Sequence, residues 1–303
     1  MNKKFFLTPI LQLSSSMDVF TARALQRVQL YSLPFEEVKD VTEEEQNDFL
    51  EKLVLISKSN PYYASQILQK LLNIWPTASD EYYEYLSEWI AYVPLSPTSI
   101  DTVIYTIGDH LIHMKECPSV IASGGTTGNR TWEAALALSE YLQNIDIKGN
   151  VLELGCGTGM VSIAMIMKNK SLLTNNHLFI TDGDENVVNI AENNYNLNLP
   201  NNANVVFQTL LWGTDPVPQV DTILAADVTY DSSVIPSLVE TFVQSGAKRV
   251  LLAATRRNIN TLQTFENSIT EHNWNYTVEE LPFPYRLMST LSVPVLLYVI
   301  DLY

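Results

Sequence analysis

The sequence predicts an α/β fold, an open, doubly wound, mostly parallel sheet of seven strands preceded by a helical N-terminal region. Three observations carry this. From about residue 121 onward, short apolar runs alternate with amphipathic stretches, as repeated βαβ units require. Before that point, apolar residues recur at three- and four-residue spacing behind helix-start signals. A glycine turn, Gly155-Cys156-Gly157-Thr158-Gly159, directly follows one apolar run, where an open α/β sheet presents its ligand edge.

The N-terminal region, residues 1–120, is read as helical. Thr42 and Glu45 form a capping box ahead of Phe49, Leu50, Leu53, Val54 and Ile56. Asn60-Pro61 opens a second helix, with Pro in its first position and Ile67, Leu68, Leu71, Leu72 and Trp75 as its stripe. Ser79-Asp80 caps a third, carrying Tyr82, Tyr85, Leu86, Trp89 and Ile90. Pro94-Leu95-Ser96-Pro97 interrupts the pattern, and a further short helix is expected to lead to Pro118.

In residues 121–303, strands are expected at about 150–155, 178–182, 204–208, 221–226, 249–254, 275–281 and 294–302. Helices are expected at about 132–143, 159–168, 184–196, 232–244 and 258–272. No helix separates the last two strands, so they should pair antiparallel across Pro282-Phe283-Pro284.

Composition narrows the function classes. The 303 residues are 46% hydrophobic and 17% charged, a folded profile and not a disordered one. No apolar run reaches the roughly 18 to 20 residues of a membrane span. With 18 Lys and Arg against 34 Asp and Glu, the net charge of −16 repels phosphate backbones and favours a basic protein partner over nucleic acid. Two cysteines, Cys117 and Cys156, fit a reducing, cytoplasmic compartment. The start resembles a secretory signal only faintly, because Thr8, Pro9 and Gln12 interrupt its apolar stretch.

Chemistry concentrates after residue 150. The turn spacing is G-x-G-x-G with Glu153 two residues ahead, the pattern of S-adenosylmethionine sites more than of the G-x-G-x-x-G dinucleotide loop. A carboxylate suits the donor's α-ammonium, where a dinucleotide would want amides facing a pyrophosphate. Asp182, 23 residues past Gly159, ends the second strand, placed to accept both ribose hydroxyls or simply to cap a turn. Trp132 and Trp212 are candidates to line a purine, or else core. Cys156 reads as a small packed side chain within the turn. His110, His113 and Glu116 have helix-face spacing that suggests metal ligands, but nothing completes a site and no metal is expected.

With Glu153 to Gly159, Asp182, Trp212-Gly213 and Asp227-Val228-Thr229-Tyr230 in this order, the chain resembles family 16 of the seven-strand, Rossmann-like methyltransferases. Its Asp-x-x-Tyr after the fourth strand is that family's hallmark. The stretch Ser123-Gly124-Gly125-Thr126-Thr127-Gly128-Asn129-Arg130-Thr131-Trp132-Glu133-Ala134-Ala135-Leu136, with Val220-Asp221 and Ala225 through Asp231, is similar to fungal protein-lysine methyltransferases that modify translation elongation factor 2. The resemblance implies S-adenosylmethionine as donor and an elongation factor 2 lysine as acceptor. It further implies Trp132, Gly155, Cys156, Gly157, Asp182, Trp212 and Ala226 around the donor, and Asp227 with Tyr230 at the reaction centre.

Overall fold

The computed structural model describes residues 15–75, 78–118, 128–283, 287 and 294–302. The leader-like start and the whole of the Ser123–Thr127 stretch lie outside these residues. The chain divides into two compact units, Met1–Val93 and Pro94–Tyr303.

The first unit is helical. Helix α1 (Ser16–Leu25) opens on a Ser15/Asp18 capping box and α2 (Glu43–Ser57) on the Thr42/Glu45 box. In α3 (Pro61–Leu72) Asn60 caps and Pro61 takes the first position, and α4 (Asp80–Trp89) follows Ser79. Phe20, Phe49, Trp75 and Tyr82 run through the interior edge to face, with ring centres 5.2, 6.5 and 6.1 Å apart. The Trp75 indole N–H is satisfied by the Val38 carbonyl at 2.8 Å.

The second unit opens with a correction. The short helix expected before Pro118 is instead a hairpin, β1 (Asp101–Ile107) and β2 (His110–Glu116), turned by Gly108 at φ +54° and Asp109. Thr102, Val103, Ile104, Thr106 and Ile107 are β-branched, and a two-residue loop with a left-handed glycine is a hairpin turn. His110 and His113, three apart on a strand, therefore face opposite sides, which removes the helical spacing behind the metal-ligand idea.

The remaining elements follow the expected alternation: α5 (Glu133–Leu142), β3 (Val151–Leu154), α6 (Met160–Lys168), β4 (Leu178–Asp182), α7 (Glu185–Asn198), β5 (Val205–Thr209) and β6 (Thr222–Ala226). Then come α8 (Ile235–Gln244), β7 (Arg249–Thr255), α9 (Ile259–Glu271), β8 (Asn275–Leu281) and β9 (Val295–Asp301). The sheet order is β5-β4-β3-β6-β7-β9-β8, parallel except for β9, which runs antiparallel to both neighbours. Side chains alternate between two apolar layers. Val151, Leu251 and Ala253 pack with α5, α6 and the hairpin, whereas Leu152, Leu154, Val250 and Leu252 pack with α8 and α9. The strand order reverses beside β3, so the carboxyl ends of β4, β3 and β6 meet at the switch point where such sheets bind ligands.

Candidate active site

The β3 end turns through Gly155 at φ +62°, Gly157 at +52° and Gly159 at +83°, a conformation that disfavours side chains. At Gly155 space is decisive as well. A β-carbon there would lie 2.7 Å from Val228 Cγ1, with the Trp212 ring edge 3.6 Å away. Asp182 ends β4 facing this turn: its Oδ2 accepts the Gly157 N–H at 3.2 Å and its Oδ1 the Asp184 N–H at 3.3 Å. Burial holds the Asp182 carboxyl above its ordinary range. The Trp212 indole N–H is buried and has no acceptor among the described residues.

Glu153 is buried behind the turn, where Oε2 accepts both the N–H and the hydroxyl of Ser162. Burial pushes its carboxyl up to about 7. Cys156 is buried too, its N–H bonded to the Thr181 carbonyl at 2.9 Å and its thiol pushed well above the ordinary range by burial, so it packs without nucleophilic character.

At the end of β6, Ala226 is registered against Ala253 of β7. Asp227 follows in the left-handed region at φ +54°. Its Oδ1 accepts the Thr255 N–H at 2.8 Å, and its Oδ2 accepts the Thr255 hydroxyl at 2.9 Å and Arg257 Nη2 at 3.2 Å. Burial is the main influence raising its carboxyl pKa. Tyr230 is 67% exposed, and its hydroxyl is held above the ordinary range by partial burial, then by the Asp182 and Asp231 carboxylates.

A matching family model spans residues 121–272, half of the chain, and describes a lysine methyltransferase. The protein-lysine N-methyltransferase EFM3 of Saccharomyces cerevisiae is 33% identical over 259 residues, covering 72% of this chain and 75% of that one. The protein of the same name from Chaetomium thermophilum is 34% identical over 58% of this chain and 56% of its own. The human protein-lysine N-methyltransferase EEF2KMT is 28% identical over 74% of each. This chain belongs to the lysine methyltransferase family. It is a protein-lysine N-methyltransferase that uses S-adenosylmethionine as methyl donor.

The residues fit that donor. The glycine turn lets backbone come close, Asp182 retains acceptor capacity beside long N–H contacts, and the Trp212 N–H waits for a partner. Trp132, expected on the donor side of this methyltransferase, begins α5 with two guanidinium groups over its ring, Arg130 Cζ at 4.4 Å and Arg257 Cζ at 4.6 Å from the centroid.

Sequence reasoning missed a buried tie behind the turn. The Glu116 carboxylate accepts the Tyr105 hydroxyl at 2.7 Å, the Thr131 N–H at 2.7 Å and the Thr131 hydroxyl at 2.6 Å. Because the Thr131 proton is committed to Glu116, the Thr158 hydroxyl donates to Thr131 at 2.8 Å, linking hairpin, loop and glycine turn. Arg130 and Glu133 stand in the Ser123–Leu136 motif without an assigned role, and Arg257 was missed. A carboxyl at Glu116 was visible in the sequence, but its burial was not.

Proposed function

We propose that the methyl acceptor is a lysine of translation elongation factor 2, with Asp227 and Tyr230 on the acceptor side and the N-terminal region 1–120, helical up to its hairpin at 101–116, selecting the target. The observation that carries the reading is the pairing of Asp182 at the end of β4 with Asp227 just past β6, on either side of the β3 glycine turn. The motifs from Ser123 to Leu136 and Val220 to Asp231, similar to those of fungal elongation factor 2 methyltransferases, support the target. The region 1–120 holds 9 basic and 16 acidic residues, a net −7 that favours a basic target surface. A translation factor as substrate implies a cytoplasmic enzyme, consistent with the absence, among the described residues, of any helix long and apolar enough to cross a membrane.

In this reading Glu153, Gly155, Cys156, Gly157, Asp182, Trp212 and Ala226 border the donor, with Trp132 beside them. The donor supplies a methyl group activated by a positively charged sulfur. Lysine, with an ordinary pKa of about 10.4, arrives mostly protonated and must lose that proton before it can attack. Asp227 attracts and orients the ammonium, while desolvation and nearby positive charge favour proton release to water. The carboxylate itself opposes that release, so its contribution is orientation and not base catalysis.

The test is transfer from labelled donor by the purified enzyme into a lysate from cells lacking their own copy, and into purified elongation factor 2. Label on a lysine of elongation factor 2, at a rate that falls with added salt, is expected. Label confined to another protein would replace the target.

A further inference from the structure

One side chain at the carboxyl edge, Arg257, has no role so far. Arg257, two residues past β7, donates to Asp227 Oδ2 at 3.2 Å, sits 3.7 Å from Glu133 Oε2, and lays its guanidinium over the Trp132 ring at 4.6 Å. The carboxylates are withdrawn, with side-chain exposures of 16% for Asp227 and 3% for Glu133, whereas Arg257 is 39% exposed. Two carboxylates beside an indole face are the groups that bind an alkylammonium, by ion pairing and cation–π attraction. Here the chain's own cations fill that place: Arg130 also lies over Trp132 and 3.8 Å from Glu133 Oε1, while Arg257 reaches Asp227.

We infer that Arg257 is a placeholder for the acceptor lysine, its guanidinium holding the ammonium position on Asp227 until an incoming lysine side chain displaces it. The inference rests on the reading of Asp227 as the acceptor-side carboxylate. Three features make the exchange possible. Thr255 holds Asp227 through its N–H and its hydroxyl, so the carboxylate keeps its place when the guanidinium leaves. The Arg257 backbone is anchored by its own N–H to the Thr255 carbonyl at 2.7 Å, so the movement is confined to a partly exposed side chain. Glu133 and Trp132 give the displaced guanidinium somewhere to stay.

The exchange has a chemical consequence. One cation replaces another on Asp227, so a withdrawn carboxylate is never left without a counter-charge. A guanidinium cannot lose its proton at neutral pH, but an ammonium can. Arg257, moved aside onto Glu133 and Trp132, leaves a fixed positive charge near the lysine nitrogen and favours its neutral, attacking form.

The probe is n-butylammonium, the end of a lysine side chain, titrated into the full chain with S-adenosylhomocysteine present and followed by NMR shifts of the Asp227 and Thr255 amides. This choice does not depend on which protein is the acceptor. Arg257→Ala, and Arg257→Gln as a second variant that keeps most of the side chain's length, should each bind the probe about fivefold more tightly than the natural protein, the scale of one half-exposed ion pair. Asp227→Asn should bind it more weakly. Equal or weaker binding by both Arg257 variants, with binding still reduced in Asp227→Asn, overturns the placeholder and leaves Asp227 as the ammonium site. Unchanged binding in all variants removes both assignments. A merely structural Arg257 would not raise affinity for an ammonium.

Discussion

Asp182 ends β4 and Asp227 lies one residue past β6, on either side of β3, and they are bonded in different ways. Among the described residues Asp182 meets backbone N–H groups and no side chain: Gly157 at 3.2 Å and Asp184 at 3.3 Å, near the long limit of a useful hydrogen bond, and Gly183. Asp227 is held by an N–H at 2.8 Å, a hydroxyl at 2.9 Å and a guanidinium at 3.2 Å, on a backbone in the left-handed region. That backbone costs a non-glycine residue on the order of 1 kcal/mol, least for Asp and Asn, and the three partners offset it. The first carboxylate is held by amides alone, two of them at long range, and keeps acceptor capacity. The second is fastened to its own framework, so what reaches it must compete with Arg257.

The largest expected effect lies on the amide-held side. On the proposed reading, Asp182→Ala removes two acceptors for the donor's ribose hydroxyls, each charge-assisted bond contributing about 1.5–3 kcal/mol. Calorimetry should show donor affinity falling by about a hundredfold or more. The melting temperature should hold or rise, because the substitution also removes a buried carboxylate without a cation partner. A collapse of stability together with affinity would make Asp182 structural and erase the contrast with Asp227.

Glu153 extends the comparison to pH. Its folded-state pKa of about 7 lies above the unfolded value of 4.5, so the folded protein binds the extra proton. The stabilisation is fully present below about 4.5 and is lost as pH rises through about 7, a change of order 3 kcal/mol. Donor-free protein should therefore melt higher at about pH 5 than at about pH 8, and Glu153→Gln should flatten most of that slope. Scanning fluorimetry across pH checks it. A slope of the same size in Glu153→Gln would assign it to Glu116, Asp182 and Asp227, whose carboxyls burial also raises.

Asp227→Asn tests the fastened side. Asn keeps the volume and one acceptor oxygen but removes the charge facing Arg257 and, on the proposed reading, the lysine. Single-turnover methylation should slow by about ten- to two-hundredfold, with donor affinity within about twofold of the natural protein. If the rate survives and only the melting temperature falls, Asp227 is a latch between β6 and β7 and nothing more.

The half of the site that reads from sequence is the half made by contiguous chain. The apolar run Val151–Leu154, the glycine turn and an acid at the next strand end lie within 32 residues and follow from βαβ geometry alone. The antiparallel pairing of β8 and β9 was legible for the same local reason, the missing helix between them. The hairpin at 101–116 was not, because a helical neighbourhood outweighed its β-branched run and its Gly108-Asp109 turn. The Arg257 cluster was beyond reach, since Glu133, Asp227 and Arg257 meet through three separate segments and no spacing encodes their approach. Trp132 shows the limit most plainly: the residue type announced a stacking surface, but not that two arginines would share it.

The smallest effects divide two asparagines that look alike in sequence. Asn194 and Asn198 lie one turn apart on α7, and each uses its amide as a strand substitute along the free edge of β2. Asn198 accepts the His113 N–H at 2.8 Å and donates to its carbonyl at 2.7 Å, while Asn194 does the same to Lys115 at 2.8 and 3.3 Å. Only Asn194 also touches the glycine turn, donating to the Thr158 carbonyl at 3.0 Å. Asn198→Ala should cost about 1 kcal/mol of stability, because water can reach the freed strand groups, and should leave donor affinity unchanged. Asn194→Ala should cost somewhat more, being fully buried, and should weaken the donor a few fold by loosening Thr158. Denaturant melts and calorimetry on the pair isolate one hydrogen bond to the turn. Equal donor affinity in both variants would mean that the Glu116–Thr131–Thr158 tie alone fixes the turn, and that the hairpin edge contributes stability without shaping the site.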